Sequence, residues 1–247
     1  MNKNNAIFYK LFTLGLAASR RIIGLFFPPR CPICGKLSYD ESTPCPECSV
    51  AVHPIEPPLC PYCGREEGRC WCISDEHAYE SVLCPFHYLG SVKKGIYRLK
   101  YQASPCSETY FARHMALKIC DVYSGISFDI ITCVPMHPSS LKERGYNPAK
   151  RLAELLSRQL QIPYRDCLKK VGEGEKQHSL SSSARAKNVK GLFAVNKKLK
   201  LQGKTILLCD DVFTTGATFN ECAKILLEAG AKGVYCTAAA ATPKNVE

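Results

Sequence analysis

No stretch of this 247-residue chain approaches the roughly 18 consecutive apolar residues that a membrane-spanning helix needs. The nearest candidate is the short run Leu11 to Ala18, preceded by Lys3 and Lys10 as a secretory leader would be. Arg20 and Arg21 interrupt it, so neither a leader nor an anchor is expected. Internal repeats are missing apart from paired cysteine motifs. Acidic residues are scarce beyond residue 90, where 25 basic side chains face 13 acidic ones, against 8 and 9 before it. What is ordinary also excludes: 46% hydrophobic and 22% charged residues rule out disorder and collagen-like repeats. The length suits one large domain or two smaller ones.

The shortage of acid is most acute from Lys142 to Lys204, where 16 basic residues meet 5 acidic ones. A local field of that sign calls for anionic ligands, either phosphates or nucleic acid. A mononucleotide needs only a few cations, so the surplus suggests a longer polyanion such as single-stranded DNA. Tyr146 and Phe193 are candidate stacking faces, with core packing the competing role for Phe193.

From Ala6 to Phe27, apolar residues recur at steps of three or four (Ile7, Leu11, Leu14, Ala18, Ile22, Leu25), one stripe of an amphipathic helix ended by Pro28 and Pro29. Such a helix packs on the protein or rests on a membrane surface. Beyond residue 80, strands alternate with helical patterns. Strands are expected at Ser81 to Leu89, Phe128 to Val134, Arg165 to Lys169, Leu192 to Val195, Thr205 to Cys209 and Val234 to Ala240. Helices are expected at Val92 to Lys100, Glu108 to Tyr123, Pro148 to Leu160 and Thr218 to Ala229. Pro135 to Asn147 and Val171 to Lys190 read as loops. Continuous apolar strands with helical crossovers give an α/β fold, a mostly parallel sheet covered on both faces. The chain thus divides into an N-terminal helix (1–27), a cysteine-rich region (28–79) and an α/β domain (80–247).

Nine of the 16 cysteines lie between Cys31 and Cys84. Cys31-x2-Cys34 with Cys45-x2-Cys48, and Cys60-x2-Cys63 with Cys70-x-Cys72, are spaced as zinc knuckles. Two residues between thiolates let both sulfurs converge on one ion, and two knuckles fill a closed tetrahedral site. The shortened Cys70-x-Cys72 pair weakens the second site, and Cys84-x2-His87 is a less favoured substitute. A disulfide framework would need an oxidising compartment, which the missing leader argues against. The expected compartment is cytoplasmic. The remaining cysteines (Cys106, Cys120, Cys133, Cys167, Cys209, Cys222, Cys236) sit singly among apolar neighbours and read as small core hydrophobes.

The strongest chemical signal is Leu207-Leu208-Cys209-Asp210-Asp211-Val212-Phe213-Thr214-Thr215-Gly216-Ala217-Thr218, an apolar strand, two acids, a small hydroxyl-rich turn and a helix start. Such a turn lets backbone amides close on a phosphate at a helix N-terminus, and the carboxylates can accept from ribose hydroxyls or hold magnesium. It resembles the motif with which type I phosphoribosyltransferases bind 5-phosphoribosyl 1-pyrophosphate (PRPP). Together with FFPPRCPICG (26–35), YRLKY (97–101), VPMH (134–137), RGYNPA (144–149) and QHSLSSSARAKNVKGLF (177–193), it makes the chain resemble the ComF family of zinc-ribbon phosphoribosyltransferase-like proteins over nearly its whole length.

The resemblance implies a type I phosphoribosyltransferase-like, Rossmann-type sheet behind a double zinc ribbon. It implies PRPP binding with magnesium at Asp210, Asp211, Thr214, Thr215, Gly216, Ala217 and Thr218. It also assigns Pro135 to Asn147 to pyrophosphate, with Lys142 and Arg144 as cations, and Lys169 to Lys190 to a closing loop, with Lys170, Arg185 and Gln177 as contacts. His178 reads as a loop residue; His53, His77, His87, His114 and His137 carry no assignment. Two functions follow. One is phosphoribosyl transfer to an unknown acceptor with pyrophosphate release. The other is non-catalytic, PRPP-responsive binding of single-stranded DNA. The family connects either one with DNA uptake, and so with the uptake machinery at the inner face of the membrane.

Overall fold

The computed structural model describes residues 28–70, 72, 77–172 and 191–243. The expected N-terminal helix, Gln177, His178 and Arg185 lie outside these residues. The described elements in chain order are α1 (Pro46–Ser49), β1 (Val82–Leu83), β2 (Phe86–His87), α2 (Gly90–Tyr101), α3 (Pro105–Val122), β3 (Ile130–Cys133), α4 (Pro138–Arg144), α5 (Pro148–Leu160), β4 (Leu168–Lys170), β5 (Phe193–Val195), β6 (Thr205–Phe213), α6 (Ala217–Glu228) and β7 (Gly233–Ala241).

The expected parallel sheet is present, in the order β1-β7-β6-β3, with β2 also on β7. Its apolar strands carry no hydrophobic alternation because both faces are covered. Phe111, Met115, Leu152 and Leu156 of α3 and α5 pack with Leu207 and Cys209 on one face. Phe219, Cys222 and Leu226 of α6 pack with Ile206 and Leu208 on the other. β7 follows β6 from Thr205 opposite Gly233 to Phe213 opposite Ala241. β3 follows it only as far as Cys133 opposite Cys209. The last four residues of β6, Asp210 to Phe213, therefore leave the sheet's packed interior on their β3 side.

Four expectations need correction. The strand over Ser81 to Leu89 is two short pieces, β1 and β2, because Pro85 between them has no amide to give the ladder; its carbonyl accepts instead from Ile55 N at 2.9 Å. The loop Pro135 to Asn147 contains α4, started by Pro138 with a His137 cap and stopped by left-handed Gly145. The chain at Arg165 meets the main sheet at Ile131 of β3, with Arg165 N donating to the Ile131 carbonyl at 2.9 Å, and beyond it β4 and β5 pair antiparallel with each other, apart from that sheet. Cys120 is exposed and Cys106 half-buried, because Phe111, Met115 and Ile119 hold the inward stripe of α3. The other five isolated cysteines are buried.

The two cysteine-rich halves dock on opposite faces. Cys31, Ile33 and Cys48 join the core of α3 and α5, tied by Ser107 Oγ donating to the Pro32 carbonyl at 2.5 Å and Ser91 Oγ to the Cys48 carbonyl at 2.8 Å. Ile55, Cys60 and Cys63 join the core beneath α6.

Candidate functional site

Each half gathers four thiols. Cys31, Cys34, Cys45 and Cys48 form one group and Cys60, Cys63, Cys70 and Cys72 the other, with the sulfurs of each all within 4.8 Å of one another. The sulfurs lie 3.8 Å apart for Cys34 and Cys45, 3.6 Å for Cys63 and Cys70, and 4.0 Å for Cys60 and Cys72. Tetrahedral bonds of about 2.3 Å to one zinc ion space sulfurs by roughly 3.8 Å, so both groups fit zinc. The same distances are too long for disulfides, and all sixteen cysteines are free. Cys84 is buried beside β1 and neither it nor His87 joins a cluster, so the shortened Cys70-x-Cys72 pair completes the second site. Zinc bound there would stabilise the ribbon and do no chemistry.

The loop Thr214 to Thr218, expected from its sequence to take a phosphate and named the phosphate loop for that reason, stands at the end of β6. Gly216 is the N-cap of α6, with φ +85°, and a Cβ there would lie 2.8 Å from the Tyr79 hydroxyl, so both backbone and space demand glycine. Past it, the first-turn amides of α6 have no carbonyl of their own helix to reach and present partial positive charge; Ala217 N donates to Thr215 Oγ1 at 3.4 Å, and Thr218 follows in the same turn. Thr214 is exposed. Asp210 and Asp211 precede the loop, successive residues of an extended strand that leave it on opposite sides. Burial and the adjoining Asp211 carboxylate push Asp210 up to about 8, although the Asp211 amide donates to its Oδ1 at 2.8 Å. Asp211 is held by Lys100 Nζ at 2.8 Å. Burial would lower Lys100, but the Asp211 carboxylate outweighs it and the net shift is upward.

A cleft of about 290 Å³ opens above these groups, lined among others by Asp210, Asp211, Thr218, Arg144 and Lys170. Elements far apart in sequence thus bring together two acids, a helix N-terminus and two cations. Lys170 comes from the β4–β5 ribbon, its ammonium 5.6 Å from the Phe193 ring centroid. Arg144 comes from the last turn of α4 and lies 4.8 Å over the Tyr101 ring. Asn147, the α5 cap, anchors this wall through Nδ2 to the Val134 carbonyl at 3.0 Å. Lys142 is exposed on the same short helix and does not line the cleft.

The nucleic-acid expectation changes place. Tyr146 is not a free stacking face: its hydroxyl donates to the Leu99 carbonyl and accepts from Ala103 N, both at 2.8 Å, and Arg151 covers its ring at 4.6 Å. Phe193 is buried, as core packing required. Part of the basic surplus is neutralised, with Lys150 paired to Asp166, Arg151 to Glu108 and Lys204 to Asp129. Exposed aromatic rings occur instead on α2, where Tyr97 and Tyr101 are 56% and 57% exposed with centroids 4.9 Å apart.

Three residues at the site escaped sequence reasoning. Lys100 stood in the quoted YRLKY string without a role. Tyr79, in the chain leaving the second ribbon, closes on Gly216. Arg65, the residue after Cys63-Gly64, is 2% exposed and donates from Nη2 to the Thr214 carbonyl at 2.6 Å. For Lys100 a signal existed, since a lysine at helical spacing among core residues has to find an acid.

The double zinc ribbon domain family matches residues 22–85, and the phosphoribosyl transferase domain family residues 140–247. The chain is 30% identical over 220 residues to Competence protein F of Haemophilus influenzae, covering 85% of this chain and 95% of that one. It is 27% identical over 209 residues to DNA utilization protein YhgH of Escherichia coli K12, covering 83% and 86% respectively. To Competence protein ComFC of Streptococcus pneumoniae it is 29% identical over 205 residues, covering 80% and 87%. Among the described residues no helix is long and apolar enough to cross a membrane. A relative matched along nearly its entire length, with both halves recognised in the order the sequence suggested, settles the relationship: this chain belongs to the ComF (competence protein F) family.

Proposed function

We propose that the chain binds PRPP in the cleft at the end of β6 and transfers its phosphoribosyl group to an acceptor, in a protein divided into a double zinc ribbon (28–79) and a phosphoribosyltransferase-like domain (80–247). The carrying observation is that Asp210, Asp211, Thr218, Arg144 and Lys170 line one cleft. The amides and hydroxyls of Thr214 to Thr218 take the 5-phosphate, and the acid pair accepts from the ribose 2- and 3-hydroxyls. Arg144 and Lys170 face the pyrophosphate. In the reaction the C1–O bond breaks with its electron pair leaving on pyrophosphate, while an acceptor lone pair forms the new bond to C1. The cations stabilise the charge that leaves, and Asp210 and Asp211 hold the sugar as its ring gains positive character. Magnesium bound with PRPP would neutralise pyrophosphate oxygens. The names of the relatives support a role in DNA uptake or use of imported DNA; a place inside the cell near the uptake machinery is part of the same proposal. Calorimetry tests binding: PRPP with magnesium should bind the parent and lose about a hundredfold in affinity with Asp210→Asn and Asp211→Asn combined. An equally tight double variant would move the site elsewhere. Pyrophosphate release with candidate acceptors then tests turnover.

A second reading, single-stranded DNA binding responsive to PRPP, has its own support. Lys93, Lys94, Tyr97 and Tyr101 fall on one face of α2 by helical spacing, and α2 contains no acid. Arg144 joins the Tyr101 ring to the cleft. Bases stack on exposed rings without sequence preference while cations track the backbone. Fluorescence anisotropy with a labelled oligonucleotide should show affinity falling steeply with salt and reduced about tenfold or more in Tyr97→Ala with Tyr101→Ala. Absence of binding at low salt, in protein that still binds PRPP, removes DNA as a direct ligand.

A further inference from the structure

The two ribbons share a knuckle turn, and one position in it has diverged in use. In the first, Cys31 N donates to the Lys36 carbonyl at 2.8 Å; in the second, Cys60 N donates to the Arg65 carbonyl at 2.7 Å. Lys36 points to solvent and pairs with Glu47. Arg65, at the same place in its turn, is buried. A guanidinium stays charged, so burial obliges it to find acceptors. Among the described residues two carbonyls accept from it: Nε donates to Thr242 at 2.9 Å, just past β7, and Nη2 to Thr214 at 2.6 Å, in the phosphate loop. The guanidinium also lies 4.6 Å over the Phe213 ring.

The Thr214 contact fixes more than an oxygen. A trans peptide sets its N–H antiparallel to its C=O, so holding the Thr214 carbonyl on Arg65 turns the Thr215 amide to the opposite side, away from the ribbon. A charged donor on the carbonyl also polarises that amide. Two further contacts brace the loop from the same stretch of chain. Tyr79 abuts Gly216, and Ala78 N donates to Asn220 Oδ1 at 2.7 Å, on the first turns of α6.

We propose that Arg65 is a positioning residue for the phosphate loop: it touches no ligand, aims the Thr215 amide, and makes binding of the 5-phosphate depend on the integrity of the second zinc ribbon. This rests on the phosphoribosyl reading of the cleft. The ligand part affected is the phosphate monoester, because Arg144 and Lys170, which face the pyrophosphate end, have no contact with the ribbon among those described.

The test uses the full-length, zinc-loaded protein with two probes, ribose 5-phosphate for the loop and magnesium pyrophosphate for the opposite end. Arg65→Gln should weaken ribose 5-phosphate by about tenfold, leave pyrophosphate within about twofold and keep both zinc ions. Arg65→Lys, which can reach one carbonyl but not both, should fall between. Equal loss for both probes would make Arg65 merely structural, and unchanged ribose 5-phosphate affinity would also overturn the proposal. Should Arg65→Gln not fold, Arg65→Lys decides on the same criteria. Amide hydrogen exchange at Thr215, faster in either variant than in the parent, gives a reading without ligand. A parent that binds neither probe would therefore refute the phosphoribosyl reading, while unchanged Thr215 exchange would refute the role of Arg65.

Discussion

The two ribbons are near copies in sequence, CPICGK against CPYCGR, and opposites in what they hold. The first grips α2 and α3 through Ser91 and Ser107 and never meets the cleft. The second reaches the backbone of the phosphate loop through Arg65. A zinc ribbon has too little core to fold unaided, so in both cases metal and docking surface stabilise each other. The same metal chemistry thus supports a scaffold on one side of the sheet and a ligand loop on the other.

The largest effect that can break this comparison is selective loss of one metal site. Parent protein should contain close to two zinc ions per chain by elemental analysis. Cys31→Ser and Cys60→Ser should each lower this to one and make their own ribbon sensitive to protease. Only Cys60→Ser should lose PRPP binding, by about tenfold or more; Cys31→Ser should stay within about threefold. If both lose it equally, the ribbons are one unit and the contrast is void. Disulfides in metal-free protein that still resists protease would remove zinc itself.

Gly216→Ala attacks the same contact from the other side. Alanine at φ +85° is strained by about 1–2 kcal/mol, and its methyl group must displace the Tyr79 hydroxyl. Tm should drop by several degrees and PRPP affinity by about tenfold, with both zinc ions retained. Normal PRPP affinity in this variant would show that the loop tolerates movement of its ribbon-facing side.

How far the sequence foresaw this depends on whether the determining contacts are local. The knuckles and the DDVFTTGAT string were legible because their ligands lie within a few residues, and the parallel sheet because its strands are uniformly apolar. Helix α5 was read with its full bounds from the Asn147-Pro148 start. Helix α4 was missed despite Pro138 and Gly145 because it is only seven residues long and carries no apolar stripe. Arg65 was out of reach: its carbonyl partners are 149 and 177 residues away, and an arginine after a knuckle reads as a solvated charge, which is what Lys36 is. The basic surplus misled in part, since Glu108 and Asp129, which neutralise Arg151 and Lys204, lie outside the segment whose charges were counted.

A smaller effect separates the loop's chemistry from its support. Asp210 titrates near 8 in the folded protein and near 3.8 when free, so between about pH 4 and pH 8 the folded state binds the extra proton. Stability should fall as pH rises through that window and level off above it. Asp210→Asn should flatten the slope and raise the unfolding free energy at pH 8 by on the order of 1 kcal/mol in ligand-free protein, read as a higher Tm. Cys31→Ser should keep the parental slope. The acid pair is then a site that weakens the fold in exchange for binding, and PRPP affinity in the parent should rise from pH 6 to pH 9 as Asp210 ionises. A flat stability profile would mean Asp210 is solvated and charged throughout.

The smallest expected effects belong to the exposed cations, and they decide whether position or charge matters. Lys36 occupies the turn position of Arg65, and Lys142 shares α4 with Arg144, yet both point to water. Exposed pairs such as Lys36 with Glu47 contribute little and are screened by salt. Lys36→Ala and Lys142→Ala should leave Tm unchanged within error and PRPP affinity within about twofold, the residual change vanishing at high salt. Arg144→Ala, in the cleft wall, should lower affinity by about tenfold under the same conditions. If Lys142→Ala matches Arg144→Ala at high salt, α4 must turn on binding to bring Lys142 onto the pyrophosphate, and the cleft seen here is its open form.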